Sequence, residues 1–187
     1  MKLQNIEQKF RDIMLELGLD LTDDSLIKTP HRVAKMFVNE IFYGLDQKKM
    51  PVMMTIENKF KYDQMLIEKN IKVNSVCEHH FLPIIGKCHI AYIPKDRVLG
   101  LSKFNRLVDF YSRRPQVQER LTNDIIKNLK TSLETDDIAV VIDAEHFCVK
   151  MRGIQDQETI TRTSALSGRF KDDLSCRNEF FQSIGKI

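Results

Sequence analysis

From Leu3 to Leu17 the apolar positions Leu3, Ile6, Phe10, Ile13, Met14 and Leu17 recur at intervals of three and four, and Gly18 offers a C-terminal stop. This spacing predicts an amphipathic helix. Thr29-Pro30 reads as an N-cap followed by a proline in the first turn, and Val33, Met36, Phe37 and Ile41 carry the apolar stripe of a second helix towards Gly44. The polar stretch from Asp46 to Pro51 breaks the pattern. Residues 1–50 therefore read as an N-terminal helical segment, and 51–187 as the main domain.

Strand-like composition follows at Ile71 to Cys77 and at Gly86 to Pro94, with a turn over His79 to Pro83, so the two predict a neighbouring pair. Ser102 is placed to cap a helix burying Phe104, Leu107, Val108 and Tyr111, and Pro115 to open another through Val117, Leu121, Ile125, Leu129 and Leu133. Ile138 to Met151 is rich in valine and isoleucine, and Gln157 to Leu166 in threonine, with a tight connection over Arg152-Gly153 to Asp156. Leu174, Phe181 and Ile184 mark a short closing helix. The expected class is α+β, ordered helix-helix, then strand-strand-helix-helix-strand-strand, then helix.

Composition narrows this little. At 187 residues, 42% hydrophobic and 29% charged, the chain is an ordinary soluble domain with one main core. A net charge of +3 is too slight to predict a nucleic-acid partner. The N-terminus is polar, without the apolar region of a signal peptide, and no run reaches membrane-spanning length. A cytoplasmic setting is expected, where Cys77, Cys88, Cys148 and Cys176 serve as free thiols or metal ligands.

The candidate chemistry gathers in Val76-Cys77-Glu78-His79-His80-Phe81 and Glu145-His146-Phe147-Cys148. Two thiolates and an imidazole suit zinc, and three protein ligands leave a fourth position for water or substrate. Spacing alone does not choose between His79 and His80. With Ile138 to Arg152 extended, His146, Cys148, Lys150 and Arg152 share one face, and Arg152 lies roughly 13 Å beyond Cys148, of the order of a nucleoside triphosphate's length. Arg32 with Lys35, and Ser102-Lys103 with Arg106, sit near helix starts, where backbone N–H groups favour phosphate.

Cys77-Glu78-His79-His80, Ala91-Tyr92-Ile93-Pro94-Lys95, Gly100-Leu101-Ser102-Lys103, Arg114-Pro115-Gln116-Val117-Gln118-Glu119-Arg120 and His146-Phe147-Cys148-Val149-Lys150-Met151-Arg152-Gly153 together resemble the zinc-dependent GTP cyclohydrolase I family. The resemblance runs from about Thr29 to Phe170 and implies the tunnelling fold, a toroidal homodecamer and GTP as substrate. It makes Cys77, His80 and Cys148 the ligands of one zinc ion per subunit, and so selects His80 over His79. It makes His79 and His146 the acid–base pair, with Ser102 taking part in the ribose steps. Glu119, with Gln118 beside it, becomes the reader of guanine. Arg152, Lys103 and Arg106 become triphosphate contacts, joined by Arg32 and Lys35 from a neighbouring subunit. The implied reaction opens the guanine imidazole ring at C8, releases formate and yields 7,8-dihydroneopterin triphosphate.

Other zinc chemistries find less support. The H-x-E with P-C-x-x-C signature of nucleobase deaminases is absent, as is the H-E-x-x-H of zinc proteases. A purely structural zinc module would have no use for His79, His146 and Glu119.

Overall fold

The computed structural model describes residues 1–185. Helix α1, Lys2–Glu16, ends where Gly18 takes a positive φ of 76°. Helix α2, Thr29–Met36, holds Pro30 in its first turn, but Thr29 is itself helical and no side chain caps the end. The second helix stops earlier than its apolar stripe suggested. Phe37–Ile41 forms a π turn closed by Phe42 N–H on Phe37 O at 3.0 Å, followed by 3-10 turns at Tyr43–Leu45 and Gln47–Lys49. The wider turn sets the Phe37 and Phe42 rings 5.1 Å apart, between Phe10 of α1 and Phe81 beyond. Ring packing there outweighs continuation of the α-helix.

The main sheet has five strands: β2 (Leu66–Cys77), β3 (Pro83–Tyr92), β5 (Pro115–Gln116), β6 (Ile138–His146) and β7 (Thr161–Leu166). Their spatial order is β5-β2-β3-β6-β7. All neighbours are antiparallel except β2 and β5. Short β1 (Thr55–Glu57) and β4 (Arg97–Leu99) pair separately. Between β3 and β6 run α3 (Leu101–Ser112) and α4 (Gln118–Leu133). The expected strand-strand-helix-helix-strand-strand order is present.

Both central helices pack on one sheet face, burying Phe104, Leu107, Leu121, Ile125 and Leu129 against Val73, Ile90 and Val140. Each such side chain removed from water contributes about 1.5–3 kcal/mol. Part of the opposite face is covered by α6 (Arg169–Asp172) and α7 (Leu174–Ile184), through Phe170, Cys176 and Phe180 on Ala91, Ala139 and Val141. Gly86 is required where β3 meets β6, since a Cβ there would stand 2.1 Å from Asp143 O and 2.6 Å from Ala144 Cα.

Three expected elements are corrected. Helix α3 starts at Leu101 with Gly100 as its N-cap, so Ser102 lies inside the first turn rather than capping it. Pro115 opens the two-residue β5, because Val76 and Cys77 offer it a parallel partner, and the helix begins only at Gln118. The strand expected to run to Met151 ends at His146, and Phe147–Lys150 forms one helical turn, α5. Pairing runs out on both sides there: the last partner in β3 is Ile84, opposite His146, and the first in β7 is Thr161, opposite Ala144. Without a ladder, Met151 N–H turns back to Phe147 O at 3.0 Å. The single-face alignment of His146, Cys148, Lys150 and Arg152 therefore does not occur. Lys150 instead reaches Glu145 at 3.0 Å.

Among the described residues no helix is long and apolar enough to cross a membrane.

Candidate metal centre and active site

Cys77 is the last residue of β2, and the turn after it closes through Phe81 N–H on Cys77 O at 2.9 Å and Cys77 N–H on Leu82 O at 2.8 Å. Phe81 takes the left-handed conformation this turn needs, with φ 56°, and its ring meets Phe42 edge-on at 5.5 Å. His79 and His80 stand at the exposed tip of the turn. From the end of β6, two strands away from β2, the α5 turn brings Cys148 round. The ligand atoms of Cys77, His80 and Cys148 all lie within 4.8 Å of one another. A tetrahedral zinc with bonds of about 2.0–2.3 Å holds its donors less than about 4 Å apart, so a small inward rotation suffices.

The donor chemistry fits a divalent cation. Burial pushes the Cys148 thiol up, and the hydrogen bond and charge of Cys77 push it further. Two adjacent sulfurs resist joint ionisation, and a dication between them removes that cost. His79 is not among the converging donors, although its Nδ1 lies 3.6 Å from Cys77 Sγ.

Three consecutive residues at the start of α4 face three parts of this region. Gln118 is buried, with its amide nitrogen on Ile142 O and Thr161 O and its oxygen 2.7 Å from His146 Nε2. Glu119 is exposed, and its charge partly opposes the burial that holds His146 below its ordinary value. Arg120 pairs with Glu78 inside the metal turn, and also donates to Gln116 Oε1 at 2.8 Å and Pro115 O at 3.1 Å. Glu78 N–H donates to Gln116 O at 3.0 Å. The metal turn is thereby tied to β5 by a backbone bond and to α4 by an ion pair.

Gln118, expected beside Glu119 as a guanine contact, has both its amide hydrogens engaged inside the protein, on Ile142 O and Thr161 O. The sequence reading missed Glu78, Gln116 and Arg120. Glu78 and Arg120 sit 42 positions apart with no local pattern to link them.

The expected phosphate contacts are more dispersed. Arg152 reaches the metal end, with Nη1 3.0 Å from His80 Nε2. Lys103 donates to Val52 O at 2.8 Å, and Ser102 and Arg106 are exposed on α3. Arg32 and Lys35 are exposed on α2, and neither side chain makes a hydrogen bond or ion pair among the described residues. A cavity of about 740 Å³ between Ile56, Phe60, Tyr92 and Val98 is lined by none of these residues.

The family model of GTP cyclohydrolase I matches residues 6–185. GTP cyclohydrolase 1 of Flavobacterium johnsoniae is 55% identical over 183 residues, covering 98% of this chain and 82% of that protein. GTP cyclohydrolase 1 of Aeromonas salmonicida is likewise 55% identical over 183 residues, covering 98% and 84%. A partial likeness, with TM-score 0.47 and 21% identity over 56% of this chain and 93% of the other, is to the crystal structure of the archaeosine synthase QueF-Like in the apo form. With the match spanning nearly its whole length, the chain belongs to the GTP cyclohydrolase I family.

Proposed function

We propose that this protein is a zinc-dependent GTP cyclohydrolase, opening the guanine imidazole ring of GTP at C8, releasing formate and forming 7,8-dihydroneopterin triphosphate. The observation that carries the reading is the convergence of Cys77 and His80, where β2 ends, with Cys148 of the α5 turn, 71 positions after Cys77, beside two further histidines and a carboxylate. Those three residues hold the metal. When bound, zinc supplies Lewis acidity and makes hydroxide available near neutral pH.

The remaining residues bind, orient and move protons. Glu119 accepts the N1–H and 2-amino hydrogens of guanine in parallel, a donor pair that adenine lacks. His79 and His146 carry protons to and from N7 and the departing formyl group, a need sharpened because two thiolates soften the metal as a Lewis acid. Arg152, Lys103 and Arg106 neutralise the triphosphate, and Ser102 assists the ribose steps.

Arg32 and Lys35 join the triphosphate contacts from a neighbouring subunit of a toroidal decamer. Exposed apolar side chains support such assembly, with Phe60 97% and Ile154 81% exposed in the single chain. The setting is a reducing cytoplasm, where both ligand thiols stay available.

Purified, zinc-loaded protein incubated with GTP should release formate and, after oxidation, a fluorescent pterin, both abolished by chelation. GTP consumed without formate, or pterin formation that survives complete metal removal, overturns the reading.

A further inference from the structure

Gln118 is 2% exposed, yet every polar atom of its side chain is engaged. Its nitrogen donates to Ile142 O and to Thr161 O, each at 2.9 Å, bridging β6 to the start of β7. Those two carbonyls set which way round the amide lies. Turned over, its oxygen would face two acceptors in a buried place, at the cost of unpaired lone pairs without water. The oxygen is therefore directed at His146 Nε2, 2.7 Å away. An amide oxygen only accepts, so Nε2 must carry the hydrogen, and in a neutral imidazole Nδ1 is then bare. Among the described residues Nδ1 has no hydrogen-bond partner.

We propose that Gln118 is a positioning residue that holds His146 in its Nε2–H tautomer, with Nδ1 as the ring nitrogen left to face the substrate. This rests on the reading of His146 as an acid–base group. Because Glu119 is the next residue on the same helical turn, guanine recognition and the orientation of His146 share one rigid element.

Gln118→Met keeps length and approximate volume while removing donor and acceptor. The expected result is a kcat about 10- to 100-fold lower with KM for GTP within about threefold of the parent. Zinc content should stay near the parent's, while the melting temperature falls because Ile142 O and Thr161 O lose their donor, so kcat is read well below the variant's melting temperature. In a His146→Ala background the same substitution should add nothing to the loss. An unchanged kcat in Gln118→Met, or an equal proportional fall in both backgrounds, overturns the proposal.

Nitrogen-15 NMR of histidine-labelled, fully assembled protein tests the tautomer without any reliance on the methionine variant folding. The His146 signals, identified by their loss in His146→Ala, should show Nε2 protonated and Nδ1 bare; the reverse pattern overturns the proposal. Full turnover by His146→Ala would instead refute the acid–base reading, and the NMR pattern would still decide the tautomer.

Discussion

Cys88-His89 in the middle of β3 and Cys77 with His80 at the end of β2 are the same two residue types on adjoining strands, and only the second pair converges with Cys148. Inside a strand, neighbours point to opposite faces. Cys88 accordingly lies in the core under the helices, where burial drives its thiol far above the ordinary range and leaves it a small apolar side chain. His89 emerges on the other face near Asp143, but Arg162 already holds both Asp143 oxygens, at 2.6 and 2.7 Å. Burial, with Arg162, Lys87 and Lys69 nearby and Asp143 opposing, keeps that imidazole below its ordinary value. At the strand end the backbone turns instead of alternating, and side chains three apart can meet at one point. Local backbone geometry, rather than residue type, separates a ligand pair from a packing pair.

The sharpest contrast should come from the two cysteines. Cys148→Ser is expected to lose zinc, read by elemental analysis, and all measurable turnover, whereas Cys88→Ser should keep its zinc stoichiometry and give up some stability. A zinc-replete, active Cys148→Ser protein would erase the distinction.

Next in size is the histidine contrast. His79→Ala should retain its metal while turnover falls by about 100-fold or more, and His89→Gln should turn over within about twofold of the parent. Loss of metal from His79→Ala would mean that the ligand is His79 rather than His80.

Gly86→Ala probes the sheet that carries both pairs. Its new Cβ meets backbone atoms that cannot swing away, so unfolding in denaturant should show a loss of about 3 kcal/mol. An unaltered midpoint would show that β3 and β6 separate easily, with little effect on either pair.

The smallest effect is a pH dependence. His89 is held below its ordinary 6.5 in the fold, so the unfolded chain binds a proton first as pH falls. The stabilising contribution is present above that value and is lost below it. Between about pH 7.5 and about pH 5.5 the parent's melting temperature should drop more than that of His89→Gln; parallel curves would remove His89 as the source.

Much of the scaffold was legible in the chain because it follows from local periodicity. The helical stripes of α1, α3 and α4, and the β2–β3 pair, are readable from apolar spacing alone. The failures cluster where long-range pairing sets the boundary. The end of β6 depends on where β3 and β7 stop offering partners, and β5 exists only because the end of β2 lies beside it. The role of Gln118 depends on two carbonyls 24 and 43 positions away, and the tie between Arg120 and the metal turn is equally non-local.

The sequence by itself determined the α+β order and the donor types, and its motifs, taken as a set, matched one family, because composition and spacing are properties of the chain. Only the tertiary structure decided that Cys148 turns back to Cys77 and His80, and that the Gln118 amide lies against His146, Ile142 O and Thr161 O. Those outcomes depend on hydrogen-bond partners supplied by distant strands, and buried donors and acceptors are satisfied only by what folding brings beside them.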